Sequence, residues 1–594
     1  MVLKGYSEKI LHIDLTSRSF RTEDLDPGLA RAYIGGKGLA NYYLYKYGIW
    51  NHKPYSPENP LIIALGPFSG TQIPMATRAW AAFRSPLTNI LGGSNVGGVL
   101  AAIMKYSGYD MVFIRGSSEK PIYIVIERGS VEFRDASHLW GLDAIETEEI
   151  LKKDHGRDSA VLSIGPAGEN LVRFAMINHD KWRQFGRTGG GAVMGSKKLK
   201  AVVFIPGDRR IDIAYPDKFR DFMRDFMARF TRESGTQALR EGGTPRIVEI
   251  ANRMGFFPCF YWAQVTIEGW EKIEWKAFKN NYFIGPAACL YCPAACHRLV
   301  ESKRFSTRVD IEYETIFALG GLIGVTDPDW IIQYNDLADR LGMDTISLGN
   351  VIGFAIDLDR RGVLKLNIKW GDAEKIRDLI YDIAYRRGVG DLLAEGVAEM
   401  SRRLGVEDLA VHVKGLEPAG YDPRSLKGMA LGYAISGRGA DHLGTMAYAI
   451  DIAGRAGGRQ YLGEEKIRAI IDYEDLGALM DSLLLCKFGR YIYTFDVITE
   501  LLNIVTGFNY TVEDIRRTAW RIVTVTRIIN SRMGVNRSSD MLPRRFFEPV
   551  RFQDSELMLS REEFEKALDT YYKLRGWSSN GVPTDETLKL LGIL

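Results

Sequence analysis

The segment Cys289-Leu-Tyr-Cys292-Pro-Ala-Ala-Cys296 places three cysteines in one short stretch, and Cys486 follows far downstream. Thiolates must lie close together to bind one metal centre. A Cys-x2-Cys-x3-Cys run on a turn or a helix start brings three sulfurs to one side of the chain, and a distant fourth can complete a tetrahedral set. The pattern therefore predicts a metal-cluster scaffold.

Other uses of these cysteines fit less well. A structural zinc site with four cysteines has similar geometry and remains an alternative. Disulfides are disfavoured because no hydrophobic secretory segment opens the chain and the five cysteines are few and odd in number. Covalent haem attachment needs Cys-x2-Cys-His, and Cys292, Cys296 and His297 are spaced one residue too far apart. The Cys-x2-Cys-x3-Cys spacing is also the reverse of the Cys-x3-Cys-x2-Cys spacing typical of radical enzymes that use S-adenosylmethionine. An iron–sulfur cluster is therefore the leading interpretation.

Length and composition indicate a multidomain globular protein. At 594 residues the chain is too long for one hydrophobic core, and two to four domains are expected. It has 46% hydrophobic and 25% charged residues, and no apolar run approaches the ~20 residues that span a bilayer. We therefore expect a cytoplasmic protein without membrane contact. The net charge of +3 gives no strong field for nucleic acid, although short basic patches suit an acidic redox partner.

The apolar pattern changes along the chain. Up to about residue 205, short β-branched runs such as 61–65 and 201–205 are bounded by turn residues, which predicts strands. From Asp217 onward, amphipathic periodicity predicts helices, for example over 330–341. A loop near Gly415 indicates a second boundary. The predicted fold class is α+β multidomain, with a β-rich N-terminal domain over residues 1–208 and two mainly α-helical domains over 209–415 and 416–594.

Two loops in the helical region resemble each other. Asp339-Arg-Leu-Gly-Met-Asp344 and Asp481-Ser-Leu-Leu-Leu-Cys486 each run out of a helical segment, and the second contains the fourth cysteine. Carboxylates in two such loops can accept hydrogen bonds from both ends of one roughly two-fold-symmetric ligand. Each aspartate, taken singly, also suits a helix cap. The similarity predicts a ligand flanked by two domains.

Several further motifs occur in the order found in one enzyme family. They are Ser56-Pro-Glu-Asn-Pro60, Ser107-Gly-Tyr-Asp110, Ile164-Gly-Pro-Ala-Gly-Glu-Asn170, Gly191-Ala-Val-Met-Gly-Ser-Lys-Lys-Leu-Lys-Ala201, Glu312-Tyr-Glu-Thr315 and Arg438-Gly-Ala-Asp-His442. The last two fall between the third and fourth cluster cysteines. On these motifs, the chain resembles the aldehyde ferredoxin oxidoreductase family of tungsten enzymes across nearly its full length.

The resemblance implies a β-rich N-terminal base with two largely helical domains above it. It also implies a tungsten atom, or molybdenum in its place, held by the dithiolenes of two pterins without an obligatory protein ligand, and it allows Mg²⁺ between the pterin phosphates. A 4Fe-4S cluster is expected on Cys289, Cys292, Cys296 and Cys486. By the family pattern, the residues that contact the pterins are Arg78, Asn95, Gly97, Arg183, Asp339, Asp344, Asp481 and Leu485.

Three features depart from the family pattern or lie outside it. Leu484 stands where a glycine usually precedes Leu-Cys, which is expected to change how closely that loop approaches its pterin. The Glu-x-x-His pair that bridges subunits through a metal in some members is replaced by Gln333-Tyr-Asn-Asp336. We therefore predict no iron between subunits, while a homo-oligomer of another kind stays open. Cys259 is expected to be a small buried residue, with proximity to the active site as the alternative.

The resemblance implies oxidation of an aldehyde to a carboxylic acid, with water as the oxygen source and ferredoxin as the electron acceptor. Glu314 is the predicted base that activates water or the hydrated aldehyde, and Glu312 is its rival. On an extended strand the two would project from one face, whereas on a helix they would diverge. His442 is predicted to exchange protons near the metal, and Tyr421 to hydrogen-bond the substrate carbonyl.

Other functions fit the same pattern. The metal centre also suits a low-potential reductase subunit, working on an acid or an aromatic thioester within a larger electron-transfer complex. A zinc-stabilised interaction protein is the non-enzymatic alternative. The sequence does not identify the aldehyde, because the loops that line the cavity cannot be placed and no clear phosphate-binding cluster is recognisable.

Overall fold

A six-stranded sheet opens the protein, whose computed structural model describes residues 3–593. Its strands are β1 (Lys9–Asp14), β2 (Ser19–Asp24), β3 (Leu61–Ala64), β4 (Ala79–Arg84), β5 (Leu91–Val96) and β6 (Met111–Arg115). Their spatial order is β2-β1-β6-β3-β4-β5, and β1 runs parallel to β6 while the other neighbours are antiparallel. The central strand β3 is buried along its whole length, whereas the polar edge strand β2 is largely exposed.

A second six-stranded sheet follows in the chain. Its strands are β7 (Ile122–Glu127), β8 (Ser130–Asp135), β9 (Ala160–Ser163), β10 (Ile177–His179), β11 (Arg183–Phe185) and β12 (Leu199–Phe204), in the spatial order β11-β10-β9-β12-β7-β8. The helices of this N-terminal part are α1 (Pro27–Tyr33), α2 (Gly36–Tyr47), α3 (Leu100–Tyr106), α4 (Ala144–His155), α5 (Pro166–Glu169) and α6 (Gly190–Ser196). The predicted β-rich N-terminal region is confirmed.

Helices dominate the rest of the chain, which confirms the predicted fold class. They are α7 (Pro216–Arg232), α8 (Ser234–Gly242), α9 (Ile247–Met254), α10 (Trp275–Asn281), α11 (Tyr313–Ala318), α12 (Pro328–Leu341), α13 (Thr345–Arg360), α14 (Ala373–Tyr385), α15 (Val389–Leu393), α16 (Gly396–Leu404), α17 (Lys427–Ile435), α18 (Ala447–Ile452), α19 (Glu464–Leu483), α20 (Phe495–Thr506), α21 (Val512–Arg532), α22 (Arg561–Arg575) and α23 (Asp585–Leu590). Within residues 3–593, no single helix is long and apolar enough to cross a membrane. One helix pair bent by 116°, Tyr313–Ile323 with Pro328–Leu341, has the combined length and apolar composition of a membrane span, and no other observation supports one.

Two small sheets interrupt the helices. One consists of β13 (Phe283–Ala287), β14 (His297–Ser302) and β15 (Thr307–Asp310), and the other of β16 (Val550–Phe552) and β17 (Ser555–Leu557). The three cysteines of the sequence motif lie in the loop that joins β13 to β14. The sequence did not predict this three-stranded sheet, because its short strands are only partly buried and lack a continuous apolar run.

A sharp turn between α12 and α13 positions the first aspartate motif. Helix α12 begins with the Asp327 cap and Pro328, and it ends at Gly342, whose φ of 83° lies in the left-handed region that favours glycine. Only Gly342, Met343 and Asp344 connect the two helices, and Asp344 caps α13 by accepting hydrogen bonds from the backbone N–H groups of Ile346 and Ser347. Asp339 and Asp344 therefore lie on either side of one tight connection.

Candidate functional site

The four predicted cluster cysteines come together although Cys486 lies far along the chain. Cys289, Cys292 and Cys296 occupy one loop, and Cys486 follows the C-terminal end of α19. Burial raises the pKa of the Cys292 thiol to about 12, and the charges of the other three thiolates add to the rise. The Gly98 N–H donates to Cys289 Sγ at 3.2 Å. The tertiary structure thus gathers the sulfurs that the sequence singled out.

The spacing of these sulfurs distinguishes between kinds of metal group. Among the described residues, no three cysteine sulfurs lie within 4.8 Å of one another. A tetrahedral zinc ion with bonds of about 2.3 Å would place its four sulfurs about 3.8 Å apart. A polynuclear cluster holds its thiolates further apart because each binds a different metal atom. The four cysteines therefore fit an iron–sulfur cluster better than a single zinc ion.

Arg78 and Gly97 lie against the cysteine sulfurs. Arg78 Nη2 donates to Cys486 Sγ at 3.3 Å, and although burial opposes the charge of Arg78, the thiolates of Cys486 and Cys289 raise its pKa. A Cβ at Gly97 would lie 2.8 Å from Cys289 Sγ and 3.4 Å from Arg78 Nη1, so the close approach requires glycine. Two residues predicted to contact a pterin therefore also contact the sulfurs.

A charged group of side chains lies beside Cys289. His297 Nε2 is 3.6 Å from Cys289 Sγ, the His297 Nδ1 is hydrogen-bonded to Asp310, and Arg183 Nη1 donates to Asp310 Oδ2 at 2.7 Å. Burial would lower the pKa of His297, but Asp310 raises it well above its usual value. Burial would raise the pKa of Asp310, but His297 and Arg183 lower it to about 2. The imidazole and the carboxylate therefore form an ion pair.

This charged group resembles a metal site in its composition. His297, Asp310 and Glu312 each offer a ligand atom within 4.8 Å of the others. The Asp310 carboxylate, however, already accepts hydrogen bonds from Arg183 and from the Arg298 backbone N–H at 2.7 Å, besides its ion pair with His297. Because these donors satisfy the carboxylate, we interpret the group as a structural ion pair rather than a metal site.

A cavity of about 300 Å³ opens next to the cysteines and the charged group. The predicted residues in its wall are Arg78, Asn95, Gly97, Arg183, Glu312, Glu314, Asp339, Asp344, Tyr421, His442 and Cys486. A second cavity of about 50 Å³ shares Asn95 and Arg438 with the first and is lined by Asp481. The predicted pterin contacts thus extend over two adjoining cavities, and Leu485 lies outside both linings.

The first aspartate motif faces the larger cavity. Gln184 Nε2 and Asn335 Nδ2 each donate to the Asp339 carboxylate at 2.7 Å, and burial raises the pKa of Asp339 well above its usual value. Asp344 Oδ2 accepts a hydrogen bond from Arg187 Nε at 3.0 Å, and the same carboxylate caps α13. Asp344 is therefore both a helix cap and a cavity residue, so these two interpretations of the motif do not exclude each other.

The second aspartate motif faces the smaller cavity. Lys487 Nζ lies 3.0 Å from Asp481 Oδ1, and Asn95 Nδ2 donates to the same oxygen at 3.3 Å. Burial lowers the pKa of Arg438, but the ion pair with Asp441 at 2.7 Å raises it, and the charges of Asp481 and Asp344 raise it further. Aspartates of both loops therefore lie close enough to Arg438 to act on its charge, and that the two loops flank one ligand stays a prediction.

Leu484 occupies a backbone conformation that favours glycine. Its φ of 63° and ψ of 34° lie in the left-handed region, and it ends α19. Its side chain is 1% exposed and packs against Gly36, and its carbonyl accepts from the Arg78 N–H at 3.2 Å. The leucine therefore keeps the turn of the family pattern at a cost in backbone strain, and its side chain turns into the core. The neighbouring Leu485 is buried in the core as well.

Buried polar atoms without protein partners line both cavities. They include Arg183 Nε and Asn335 Oδ1 in the larger cavity and Trp80 Nε1 in the smaller one. An unpaired buried polar atom costs roughly 1–3 kcal/mol, which a polar ligand with donors and acceptors at both ends would recover. The walls therefore fit a large polar heterocycle such as a pterin.

Glu314 and His442 face each other in the larger cavity. Glu314 Oε1 lies 3.6 Å from His442 Nε2, and Glu314 Oε2 accepts from the Gly420 N–H at 3.0 Å. Burial raises the pKa of Glu314 to about 8 and lowers the pKa of His442 to about 3. Both side chains are therefore neutral at pH 7, and Glu314 Oε1 and His442 Nδ1 have no hydrogen-bond partner in the protein. Such a pair can exchange a proton with a bound molecule.

The local backbone separates Glu312 from its rival Glu314. Glu312 has an extended φ of −125° and ψ of 158° and precedes α11, whereas Glu314 lies in the first turn of that helix. Glu312 Oε1 is 3.9 Å from His297 Nδ1, while Glu314 reaches His442. The two carboxyl groups line one cavity but face different partners.

Aromatic rings extend the wall beyond His442. The Tyr421 ring stacks on His442 with centroids 5.5 Å apart and on Tyr448 with centroids 4.5 Å apart. Burial raises the pKa of Tyr421 well above its usual value, so the phenol keeps its proton and can donate it in a hydrogen bond. Cys259 is fully buried, and its thiol donates to the Phe257 carbonyl at 3.2 Å, in agreement with the expected core position.

Many cavity residues were not predicted from the sequence, and four of them are Arg187, Arg246, Tyr448 and Arg490. Arg187 offered one signal, because it stands in a glycine-rich segment whose backbone approaches other elements closely. The other three lie in segments without a distinctive pattern. Their position in the cavity follows from helix packing alone.

Comparisons with known proteins agree with this site. The family model described as "Aldehyde ferredoxin oxidoreductase, N-terminal domain" matches residues 10–206, and "Aldehyde ferredoxin oxidoreductase, domains 2 & 3" matches residues 221–593. The tungsten-containing aldehyde ferredoxin oxidoreductase of Pyrococcus furiosus is 36% identical over 597 residues, which cover 98% of each chain. The enzyme of the same name from Thermococcus kodakarensis is 35% identical, again over 98% of each chain.

A solved structure extends the comparison to the whole fold. The active-site complex of benzoyl coenzyme A reductase with a dienoyl coenzyme A superposes with a TM-score of 0.86 and 25% sequence identity, and covers 100% of this chain and 98% of that chain. Both family models match in order, and between them they span most of the chain, including the cysteines, both aspartate motifs and the Glu314–His442 pair. The chain is therefore an oxidoreductase that belongs to the aldehyde ferredoxin oxidoreductase family.

Proposed function

We propose that the protein oxidises an aldehyde to a carboxylic acid and passes the electrons through an iron–sulfur cluster to ferredoxin. The observation that carries this proposal is the neutral Glu314–His442 pair in the wall of a cavity next to four gathered cysteines. Water supplies the added oxygen, and each aldehyde oxidised releases two protons and two electrons. The site needs groups that accept these protons, and Glu314 is the best-placed one.

The family implies a tungsten–pterin cofactor, and this chain has residues that suit it. Asp339, Asp344 and Asp481 would accept hydrogen bonds from pterin N–H groups, while Arg78 and Arg183 would bind pterin edges or phosphates, with Mg²⁺ between the phosphates. Cys289, Cys292, Cys296 and Cys486 would hold a 4Fe-4S cluster. These residues would thereby hold a two-electron acceptor, the tungsten–pterin group, beside a one-electron carrier, the cluster.

Glu314 acts as the general base in this proposal. With a pKa of about 8, roughly a tenth of the Glu314 carboxyl groups are ionised at pH 7, and this fraction grows as the pH rises. The ionised form accepts a proton from water or from the hydrated aldehyde. The Gly420 N–H holds Oε2, so that Oε1 stays free for this transfer.

His442 and Tyr421 orient the reacting molecule. The neutral His442 has a free Nδ1 and shares the side of the cavity occupied by Glu314. Because burial lowers the pKa of His442 to about 3, the imidazole is uncharged at pH 7. One ring nitrogen can then donate a hydrogen bond and the other can accept one. Tyr421 stacks on His442 and offers its phenolic O–H to the substrate carbonyl.

Anaerobic purification followed by metal analysis and aldehyde-dependent dye reduction tests this function. We expect about four iron atoms and one tungsten atom per chain, and reduction of ferredoxin when an aldehyde is added. Cys486→Ser should lose most of the iron, whereas the matched control Cys259→Ser should keep it. A colourless, iron-free protein, or one that binds zinc on these cysteines, would reject the proposal.

A reductase subunit is the second candidate. The whole-chain likeness to benzoyl coenzyme A reductase favours it, as does 30% identity over 636 residues to a Pyrococcus furiosus protein named as the WOR-like subunit of an aliphatic sulfonate oxidoreductase. In this case the chain would co-purify with further redox subunits from its native source. It would then reduce an aromatic thioester or an acid with a low-potential donor and would show little aldehyde-dependent dye reduction when isolated.

A further inference from the structure

We propose that the aldehyde substrate carries an anionic group, which Arg246 and Arg490 bind in the wall of the same cavity. The proposal rests on the proposed aldehyde oxidation and adds the class of substrate. Both arginines line the cavity that contains Glu314 and His442. Neither belongs to a motif that defines the family resemblance.

Arg490 is held in place by its neighbours. Its Nη1 donates to the Lys487 carbonyl at 3.1 Å, and its Nη2 donates to the Tyr491 hydroxyl at 2.6 Å. The guanidinium also lies over the Tyr491 ring at 4.3 Å and over the Tyr448 ring at 5.5 Å. These contacts position the charge, but none of them neutralises it, and the buried Nε has no partner.

Arg246 is less restrained. It stands at the N-terminal end of α9, and none of its side-chain nitrogens donates to another described residue. Burial lowers the pKa of Arg246, and the charge of the neighbouring Arg490 lowers it further, while Tyr491 and the more distant Glu241 raise it. The two guanidinium groups are therefore close enough to repel each other.

Neither Arg246 nor Arg490 forms an ion pair with a carboxylate in the part of the chain that the structure describes. Within residues 3–593, no carboxylate lies within 4.0 Å of the guanidinium nitrogens of Arg246 or Arg490, whereas Arg183, Arg187 and Arg438 in the same cavity are each paired with an aspartate. Two adjacent unpaired cations in a partly buried wall are costly unless an anion binds between them. Planar guanidinium groups with free N–H donors suit a carboxylate or a phosphate.

An aromatic wall connects this pair to the reactive end of the cavity. The Tyr448 ring lies 5.9 Å from the His442 ring and 5.5 Å from the Arg490 guanidinium, and it stacks on Tyr421. An aldehyde group at Glu314 and an anion at Arg490 would therefore be separated by a segment that packs on Tyr448. A flat ring or a short aliphatic chain suits this space.

Matched pairs of aldehydes test the proposal with the purified holoenzyme. The pairs are para-formylbenzoate with para-tolualdehyde, succinic semialdehyde with butanal, and glyceraldehyde phosphate with glyceraldehyde. For at least one pair, we expect kcat/KM to be about tenfold or more higher for the anionic member, and the pair with the largest ratio distinguishes a carboxylate from a phosphate. Equal kcat/KM values within every pair would overturn the proposal while leaving aldehyde oxidation intact.

Variants locate the effect. Arg490→Gln and Arg246→Gln should each raise KM for the preferred anionic aldehyde about tenfold or more and leave its neutral partner nearly unchanged. Arg490→Lys should restore part of the preference. Arg253→Gln is the control, because Arg253 stands on the same helix α9 but is exposed and paired with Glu249. Loss of tungsten from either glutamine variant would assign the arginine to the cofactor and contradict the proposal.

If no aldehyde is oxidised, the proposed function is rejected. The anion site is then tested by a binding measurement that needs no turnover. Calorimetry with benzoate, and with benzamide as its neutral isostere, measures the anion preference without turnover. We expect benzoate to bind more tightly than benzamide to the unmodified protein and to lose this advantage in Arg490→Gln. If benzoate and benzamide bind equally, the anion site does not exist.

Discussion

Two histidine–carboxyl pairs lie in the wall of one cavity, and their charge states are opposite. Glu314 and His442 are both neutral at pH 7, because burial raises the pKa of the carboxyl group and lowers the pKa of the imidazole. His297 and Asp310 are both charged, although their side chains are 5% and 2% exposed and thus less exposed than those of His442 and Glu314, at 11% and 17%. The same two chemical groups therefore behave in opposite ways a short distance apart.

Neighbouring charges and contact distance explain the difference. Arg183 donates to Asp310 at 2.7 Å and stabilises its negative charge, and the close contact between His297 and Asp310 secures the ion pair. Glu314 and His442 are 3.6 Å apart and receive no comparable support. The charged pair is thus a fixed structural element beside the cysteines, whereas the neutral pair keeps a proton available for chemistry.

Breaking the charged pair should have the largest effect. Asp310→Asn leaves the buried charges of His297 and Arg183 without their carboxylate, and removal of one partner from a buried pair costs about 3–5 kcal/mol. We expect the free energy of unfolding, measured by denaturant titration with tryptophan fluorescence, to fall by this amount. Asp158→Asn is the control, because its pair with Arg209 is exposed and should be worth about 1 kcal/mol or less. A similar loss in both variants would contradict the comparison.

Removing the proton acceptor of the neutral pair should mainly affect turnover. Glu314→Gln keeps the shape of the side chain but cannot accept a proton, so turnover should fall by roughly 100-fold or more. Iron and tungsten contents should stay unchanged, because Glu314 lies at the reactive end and contacts no cysteine. His442→Asn should behave in the same way. Turnover close to normal in either variant would reject the assigned roles.

The pH dependence of stability should separate the two pairs further. The pKa of Glu314 is about 8 in the folded state and near 4.5 when unfolded, so its contribution is fully present below pH 4.5 and is lost as the pH rises through 8. The contribution of Asp310, whose pKa is lowered from 3.8 to about 2, is present above pH 3.8 and is lost as the pH falls through 2.

Between pH 6.5 and 8, the raised pKa values of Glu314 and His297 both make the free energy of unfolding fall, because each group keeps its proton in the folded state and loses it on unfolding. The part due to Glu314 is up to about 2 kcal/mol over this window. Glu314→Gln should remove this part and leave the part due to His297, and an unchanged slope in this variant would assign the whole decrease to other groups.

The smallest effect is expected at Glu312. Because Glu312 faces His297 instead of His442, Glu312→Gln should lower turnover by less than about tenfold. Assays of Glu312→Gln and Glu314→Gln under identical conditions measure the difference directly. If Glu312→Gln were the more damaging substitution, the base would have to be reassigned to the carboxyl beside the charged pair.

Much of the fold followed from local pattern. The strands β3 and β12 are short β-branched runs bounded by turn residues, and α12 covers the helix predicted over 330–341. The three-stranded sheet around the cysteine loop was missed, because its strands carry no clear apolar alternation. Its pairing depends on contacts between β13, β14 and β15 that a sequence window does not contain.

The sequence by itself identified the cysteine motif and the two similar aspartate loops. It also identified Glu314 as the predicted base and His442 as the residue predicted to exchange protons. Tertiary structure alone decided which of these groups carry charge, because protonation depends on burial and on neighbours from distant segments. It also decided that Arg246 and Arg490 stand together without a counter-ion. These arginines lie 244 residues apart in the chain, and only the tertiary structure brings them into one cavity wall.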